Sequence, residues 1–192
     1  MNRTEPSDDR YEVLDERGHK TDKILDHRTV HQQGLWHSVV NVWIINSKGE
    51  ILMQLRGPEV ELAPSVWDVA IGSHLRVGED PVDAALRALQ HGLGVVVAPE
   101  DLKHLFNIQC ANPMPNGTAH KVMGHIFLVQ RDIDFGELTY DRKKIVKFAW
   151  VSPIVLMSEV GNQETKTRYF PRANNYYTKL FEALQGLLPA SV

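Results

Sequence analysis

Residues 72–95 read GSHLRVGEDPVDAALRALQHGLGV, and the rest of the chain is read outward from this stretch. Asp80-Pro81 opens a helix: a carboxylate able to cap, then proline at the first helical position, where its missing N–H has no helical partner to lose. Val82, Ala85, Leu86 and Leu89 recur at helical spacing and make one apolar face. Gly92-Leu93-Gly94 is expected to stop the helix. Residues 72–78, with a glycine at each end, read as an irregular loop entering it.

Upstream, Leu35 to Ile45 is rich in β-branched residues and Trp and reads as a strand. Asn46-Ser47-Lys48-Gly49 is a hairpin turn, and Glu50 to Leu55 is the returning strand. Residues 57–66 hold two prolines and form a loop, followed by a short apolar segment from Val66 to Ile71. Nearer the start, Tyr11 to Leu14 alternates as a short strand, and Glu16-Arg17-Gly18-His19 is a tight turn. Asp26 can cap a short helix over His27–Gln33, with Gly34 ending it. Downstream, strands are expected near 104–111 and 121–130, separated by the turn-rich Asn112–Gly117, and another over Ile145–Val151. Ser152-Pro153 starts a helix. Phe170 to Leu188 carries Tyr176, Tyr177, Leu180, Phe181, Leu184 and Leu187 at helical spacing, a closing amphipathic helix. Strands and helices in this order make a mixed sheet with helices packed on it, an α+β fold.

The 192 residues, 43% hydrophobic and 23% charged, suit one domain able to bury its own core. A net charge of −3 leaves no cation surplus for displacing counterions, so no nucleic-acid partner is expected. A single cysteine, Cys110, excludes an internal disulfide. The apolar runs fall far short of the ~20 residues of a membrane span, and Met1 to Asp9 lacks the apolar core of a signal peptide. The expectation is a cytoplasmic protein with no membrane partner, a flexible leader over 1–9 and a single domain over 10–188.

The 72–95 stretch resembles the Nudix box, G-x5-E-x7-R-E-U-x-E-E-x-G-U, where U is a bulky aliphatic. Ser73 falls on the first glycine, Glu79 on the first glutamate, Arg87 on the arginine, Leu89 on an aliphatic, Gly94 on the last glycine and Val95 on the last aliphatic. The resemblance spreads over roughly residues 10–185. His31-x5-His37, Val39–Ile45, Ile51–Arg56 and Trp67-Asp68-Val69 are similar to the subgroup near isopentenyl-diphosphate isomerase. It implies the Nudix fold, a mixed β-sheet sandwiched between α-helices. It also implies hydrolysis of a nucleoside diphosphate derivative or another organic diphosphate, with Mg2+ bound by motif glutamates on one helix face.

Those glutamate positions are Ala88, His91 and Gly92 in this chain, so the Mg2+ ligands implied by the resemblance are absent. The isomerase's nucleophilic cysteine falls on Gly72, and its later Glu-x-Glu falls on His120-Lys121-Val122, which makes isomerase activity an unexpected outcome. Three readings stay open: a divergent hydrolase using other carboxylates (Glu79, Glu61, Asp68 or Glu137), a non-catalytic module binding a nucleotide-like ligand or a protein, and a histidine-based metal site with other chemistry. Glu79 and Arg87 are the candidate catalytic or orienting pair. Arg56 is a candidate phosphate ligand by its fork, and Trp67 a candidate stacking surface. His31, His37, His74 and His120 fall near the isomerase's metal positions, and imidazoles suit Zn2+ better than Mg2+. A small phosphorylated ligand is the expected partner.

Overall fold

The computed structural model describes residues 9–113, 117–172 and 175–185. The expected leader, apart from Asp9, lies outside them, as do the centre of the turn at 114–116 and the closing helix beyond residue 185. Among the described residues the chain forms nine strands and four α-helices. In order they are β1 (Arg10–Leu14), β2 (Lys20–Asp26), α1 (His27–Gln32), β3 (His37–Ile45), β4 (Ile51–Arg56), β5 (Trp67–Val69), β6 (Ile71–His74), α2 (Pro81–Leu93), β7 (Lys103–Pro113), β8 (Ala119–Gln130), β9 (Ile145–Val151), α3 (Pro153–Gly161) and α4 (Tyr176–Gln185). None of these helices is long and apolar enough to cross a membrane.

β1 and β2 pair as a separate antiparallel hairpin. The other seven strands form one mixed sheet, in which β3 runs parallel to β8 and antiparallel to β6. Strand β3 is buried on both faces, and its period of two sorts its side chains between two cores. Val40, Val42 and Ile44 pack with Ala84, Ala85 and Leu89 of α2. Val39, Trp43 and Ile45 pack with Leu156 of α3 and Tyr176, Leu180 and Leu184 of α4. Helices therefore cover both faces of the sheet, the expected α+β sandwich. Trp43 shows how completely the second layer closes: its indole N–H donates to the Tyr176 hydroxyl at 3.0 Å, and both residues are buried.

One irregularity of the sheet makes room for a site. β3 and β4 pair only at Ile45 and Ile51, beside the hairpin turn. Beyond that point β3 turns to β6 and β8, while β4 turns to β5 and β9. The two strands diverge, and Val39, Val40 and Asn41 on one side and Gln54 and Arg56 on the other line the space between them.

The structure differs from the sequence expectations at four elements. Strand β2 occupies Lys20–Asp26, which shows no apolar alternation because it is largely exposed. Strand β6 occupies Ile71–His74, where Gly72 and Ser73 suggest a loop; its pairing with β3 overrides their low strand propensity. Gly92 does not stop α2. The helix runs through it to Leu93 and ends at Gly94, whose φ of 74° is the left-handed conformation that glycine adopts without penalty. The last helix begins at Tyr176 rather than Phe170. The Phe170-Pro171-Arg172 segment is non-helical, and Phe170 and Arg172 line the cavity between the diverging strands.

Candidate metal and ligand site

Four elements each bring one histidine to the same point. Asp26 caps α1 by accepting from the Thr29 N–H at 3.0 Å, and this short helix carries His31. His37 opens β3, His74 ends β6 and His120 lies near the start of β8. The pairings of β3 with β6 (Val39 opposite His74) and with β8 (His37 opposite Val122) bring these strand ends together. One ring nitrogen from each of His31, His37, His74 and His120 lies within 4.8 Å of the other three. The His31 and His74 Nε2 atoms are 3.2 Å apart.

Burial favours the neutral form of these rings. Burial lowers the His31 and His37 imidazoles to about 4 and His120 to about 3, each helped by repulsion from neighbouring rings. Burial also holds His74 well below its ordinary value. His37 has a defined tautomer: its Nδ1–H donates to the Leu35 carbonyl at 2.9 Å, so its Nε2 carries the lone pair. That Nε2 and both ring nitrogens of His120 are buried without a hydrogen-bond partner. A buried polar atom without a partner costs about 1–3 kcal/mol, and here three such nitrogens belong to one cluster. The donor set suits a borderline divalent cation. Neutral imidazoles bind such ions as they stand, and tetrahedral coordination at ~2.0–2.1 Å requires only a modest contraction of the cluster.

Tyr11 of β1 covers the cluster, its ring stacked on His74 at a centroid distance of 4.8 Å. His27 stacks on His31 at 4.1 Å and reaches the adjoining cavity. That cavity, about 570 Å³, runs from the histidines past Asn41 and Gln54 to Asp68, Arg56 and Arg172, with Lys143 and Lys144 at its edge. A smaller cavity of about 360 Å³ adjoins it over α2.

Glu79 and Arg87 form a two-pronged ion pair, with nitrogen–oxygen distances of 2.6 and 2.7 Å. Burial pushes the Glu79 carboxyl up, but the hydrogen bonds and charge of Arg87 and the Arg76 N–H together hold it below its ordinary value. Arg87 also donates to Ser73 Oγ at 3.2 Å and to the His74 carbonyl at 2.9 Å. The pair thus ties α2 and its entry loop to the strand that carries His74. Arg56 lines the cavity, but its fork is engaged with Asp68 at 3.1 Å and with the carbonyls of Leu62 and Ala63. Asp68 also receives a hydrogen bond from buried Arg172, so two arginines share one carboxylate.

Trp67 does not join these residues. Successive residues of β5 face opposite ways: Asp68 faces the cavity, while Trp67 packs with the α3–α4 core, with the Lys147 ammonium 5.6 Å from its ring centre. The stacking role expected for Trp67 is therefore replaced by a packing role. Among the other carboxylates considered, Glu61 lines the large cavity, whereas Glu137 sits exposed on a short 3-10 turn and lines neither cavity. Sequence reasoning missed Tyr11, His27, Gln54 and Arg172. His27 precedes His31 by four residues on α1, a helical spacing that could have marked it; Tyr11, Gln54 and Arg172 carry no such local signal and are brought to the site by tertiary packing alone.

The NUDIX domain family matches residues 35–173, a span that contains His37, His74 and His120 and begins just after His31. Nudix hydrolase 3 of Arabidopsis thaliana is 29% identical over 101 residues, 52% of this chain and 13% of that protein. An isopentenyl-diphosphate Delta-isomerase of Paenarthrobacter aurescens is 26% identical over 147 residues, 77% of each chain. The chain spans less than two thirds of the length of two further bacterial relatives, a Nudix hydrolase and an isomerase. Among solved structures, a protein of Deinococcus radiodurans superposes with a TM-score of 0.67 at 18% identity, covering 92% of this chain and 99% of that one.

Proposed function

The chain belongs to the NUDIX domain family, and from that premise we propose that it is a metal-dependent protein acting on an organic phosphate or diphosphate, with the metal held by His31, His37, His74 and His120 instead of by α2. The observation that supports this reading is the convergence of four largely buried, partly orphaned imidazoles, three of which line the 570 Å³ cavity. By the family resemblance the Mg2+-binding carboxylates fall on Ala88, His91 and Gly92. None of these supplies an oxygen ligand, and Mg2+ demands them. Loss of the α2 metal and gain of an all-imidazole set together favour a borderline ion such as Zn2+, Ni2+ or Co2+.

When bound, such an ion supplies a Lewis acid for a phosphoryl oxygen. Zinc on these four imidazoles would have to expand to five ligands to take a phosphoryl oxygen, as catalytic zinc can. The chain's own residues do the rest. The Leu35 carbonyl fixes the His37 tautomer, Arg87 anchors the strand carrying His74, and Tyr11 stacks on His37 and His74. Arg56, Arg172, Lys143 and Lys144 line the cavity and Glu59, Glu61, Asp68 and Asp141 match them in number, so the net attraction for an anionic ligand would come from the metal. Isomerase chemistry does not fit this reading. The residue matched to the nucleophilic cysteine is Gly72, and a Cβ there would lie 2.9 Å from Asn41 Oδ1.

Calorimetry with Zn2+, Ni2+ and Mg2+ tests the metal assignment, followed by turnover assays on a panel of diphosphates with each ion. The expected result is binding of Zn2+ or Ni2+, its loss in His37→Ala and His120→Ala, and no Mg2+-dependent turnover. Vigorous Mg2+-dependent hydrolysis, at the ~1–1000 per second usual for enzymes, would return the chemistry to α2 and overturn the proposal.

A further inference from the structure

We propose that Asn41 and Gln54 form a subsite for a hydroxyl-bearing part of the ligand, between the histidines and Asp68; for the ligand's charged end this rests on the preceding proposal. Each residue is a polar interruption of an apolar strand. Asn41 lies in β3 among Val39, Val40, Val42 and Trp43, and Gln54 follows Leu52 and Met53 in β4. They are only 7% and 6% exposed. Asparagine is a poor strand former, and a buried amide without hydrogen bonds is costly.

The strand register sets both carboxamides along the 570 Å³ cavity. Asn41 lies opposite Gly72, two residues before His74, and Gln54 lies opposite Asp68. Both line the cavity in the gap that opens where β3 leaves β4. Gly72 makes room for Asn41: a Cβ there would lie 2.9 Å from Asn41 Oδ1. That oxygen therefore stands over bare glycine backbone, which is exposed and lines the same cavity. Gln54 Oε1 is buried without a hydrogen-bond partner. Neither side chain hydrogen-bonds to another described residue. The polar groups beside them are engaged elsewhere: Ser73 Oγ accepts from Arg87, and Asp68 accepts from Arg56 and Arg172. A carboxamide offers both an acceptor and donors. An anion would use only its N–H groups, an ammonium only its oxygen, and an alkyl group neither. A hydroxyl uses both, and its proton rotates to suit its neighbour. Two carboxamides on separate strands call for such groups in more than one direction, which a polyhydroxylated chain or ring supplies. Val39, Val40 and Val122 on the cavity walls leave contact for its carbons.

The test compares two phosphate esters on the zinc-loaded protein, ribose 5-phosphate and n-pentyl phosphate, which share the charged end and differ in their hydroxyls. Calorimetry should show ribose 5-phosphate binding at least about tenfold more tightly, since a site that hydrogen-bonds a hydroxyl rejects the analogue lacking it. Gln54→Leu and Asn41→Leu, close in size to the natural side chains, should each erase most of that preference. If Asn41→Leu does not fold, Asn41→Ala, which needs no new space, takes its place. A smaller preference in the wild type, or one that survives both variants, overturns the subsite. If neither ester binds, neutral ribose decides by NMR of the Asn41 and Gln54 side-chain amides. Shifted amide signals then uphold the subsite and remove the phosphate end of the preceding proposal instead; unmoved signals overturn the subsite.

Discussion

Arg87 holds the two halves of the candidate site together. Its guanidinium reaches Glu79 twice, Ser73 Oγ and the His74 carbonyl, so a motif arginine aligned by sequence becomes a strut for the proposed metal ligand 13 residues away. Arg87→Met removes these bonds and leaves Glu79 partly buried without its cation. The expected loss is about 1–3 kcal/mol of stability, read by urea unfolding, together with weaker Zn2+ binding by calorimetry. Arg87→Lys keeps the charge but not the fork, and should recover part of the stability and little of the metal affinity. An Arg87→Met protein with unchanged Zn2+ affinity would show that the strand end is held without it. Glu79 and Arg87 are legible in the sequence because they lie within one loop-helix unit. The link from Arg87 to His74 is not, because it depends on where β6 ends.

At the scale of the element, α2 was readable almost in full. Asp80 accepts the Val82 N–H at 2.8 Å and Pro81 follows it, so Asp80→Ala should cost about 1 kcal/mol in a urea titration. The exception was Gly92, which reads as a terminator yet sits inside the helix under Ile71. A terminating glycine is defined by positive φ at Gly94, and φ depends on how the following chain packs. Ala88, His91 and Gly92 line one cavity together, which is the face the resemblance assigns to metal. The triple change Ala88→Glu, His91→Glu, Gly92→Glu should therefore create Mg2+ binding detectable by calorimetry in a folded protein, with Ile71 displaced. Absence of Mg2+ binding in that folded variant would mean that the helix face is misplaced for a cation.

At the scale of the whole molecule, the buried histidines couple stability to pH. His31 and His37 are lowered to about 4 and His120 to about 3 in the folded state, against about 6.5 in an unfolded chain. The unfolded state therefore binds more protons below about pH 6.5, and stability falls as pH drops from there through about 4. The lowered Glu79 carboxyl acts in the same direction at the acid end of that range. Denaturant titrations of the metal-free protein should show this decline, and Zn2+ should shift it to lower pH. Zinc at a hundredfold excess over its dissociation constant should add about 2.7 kcal/mol at neutral pH. A metal-free protein equally stable at pH 7 and 5 would contradict the neutral, buried cluster.

The sequence alone determined the class of fold, the capped helix at its centre, a strand over Leu35–Ile45 and the family resemblance, because these rest on spacing along a few turns or one strand. It also singled out His31, His37, His74 and His120 as a set, though through resemblance and not through spacing. Only the tertiary structure decided that their nitrogens converge, that Trp67 faces the core while Asp68 faces the cavity, and that Phe170 and Arg172 leave the helical pattern to line the site. The facing of Trp67 and Asp68 follows from the pairing of β5 with β4, the placement of Phe170 and Arg172 from their bonds to Trp67 and Asp68, and the convergence from how β3 leaves β4 for β6 and β8. That is a choice among strand partners distant in sequence, made by the burial of two opposed cores, and no local run of residues encodes it.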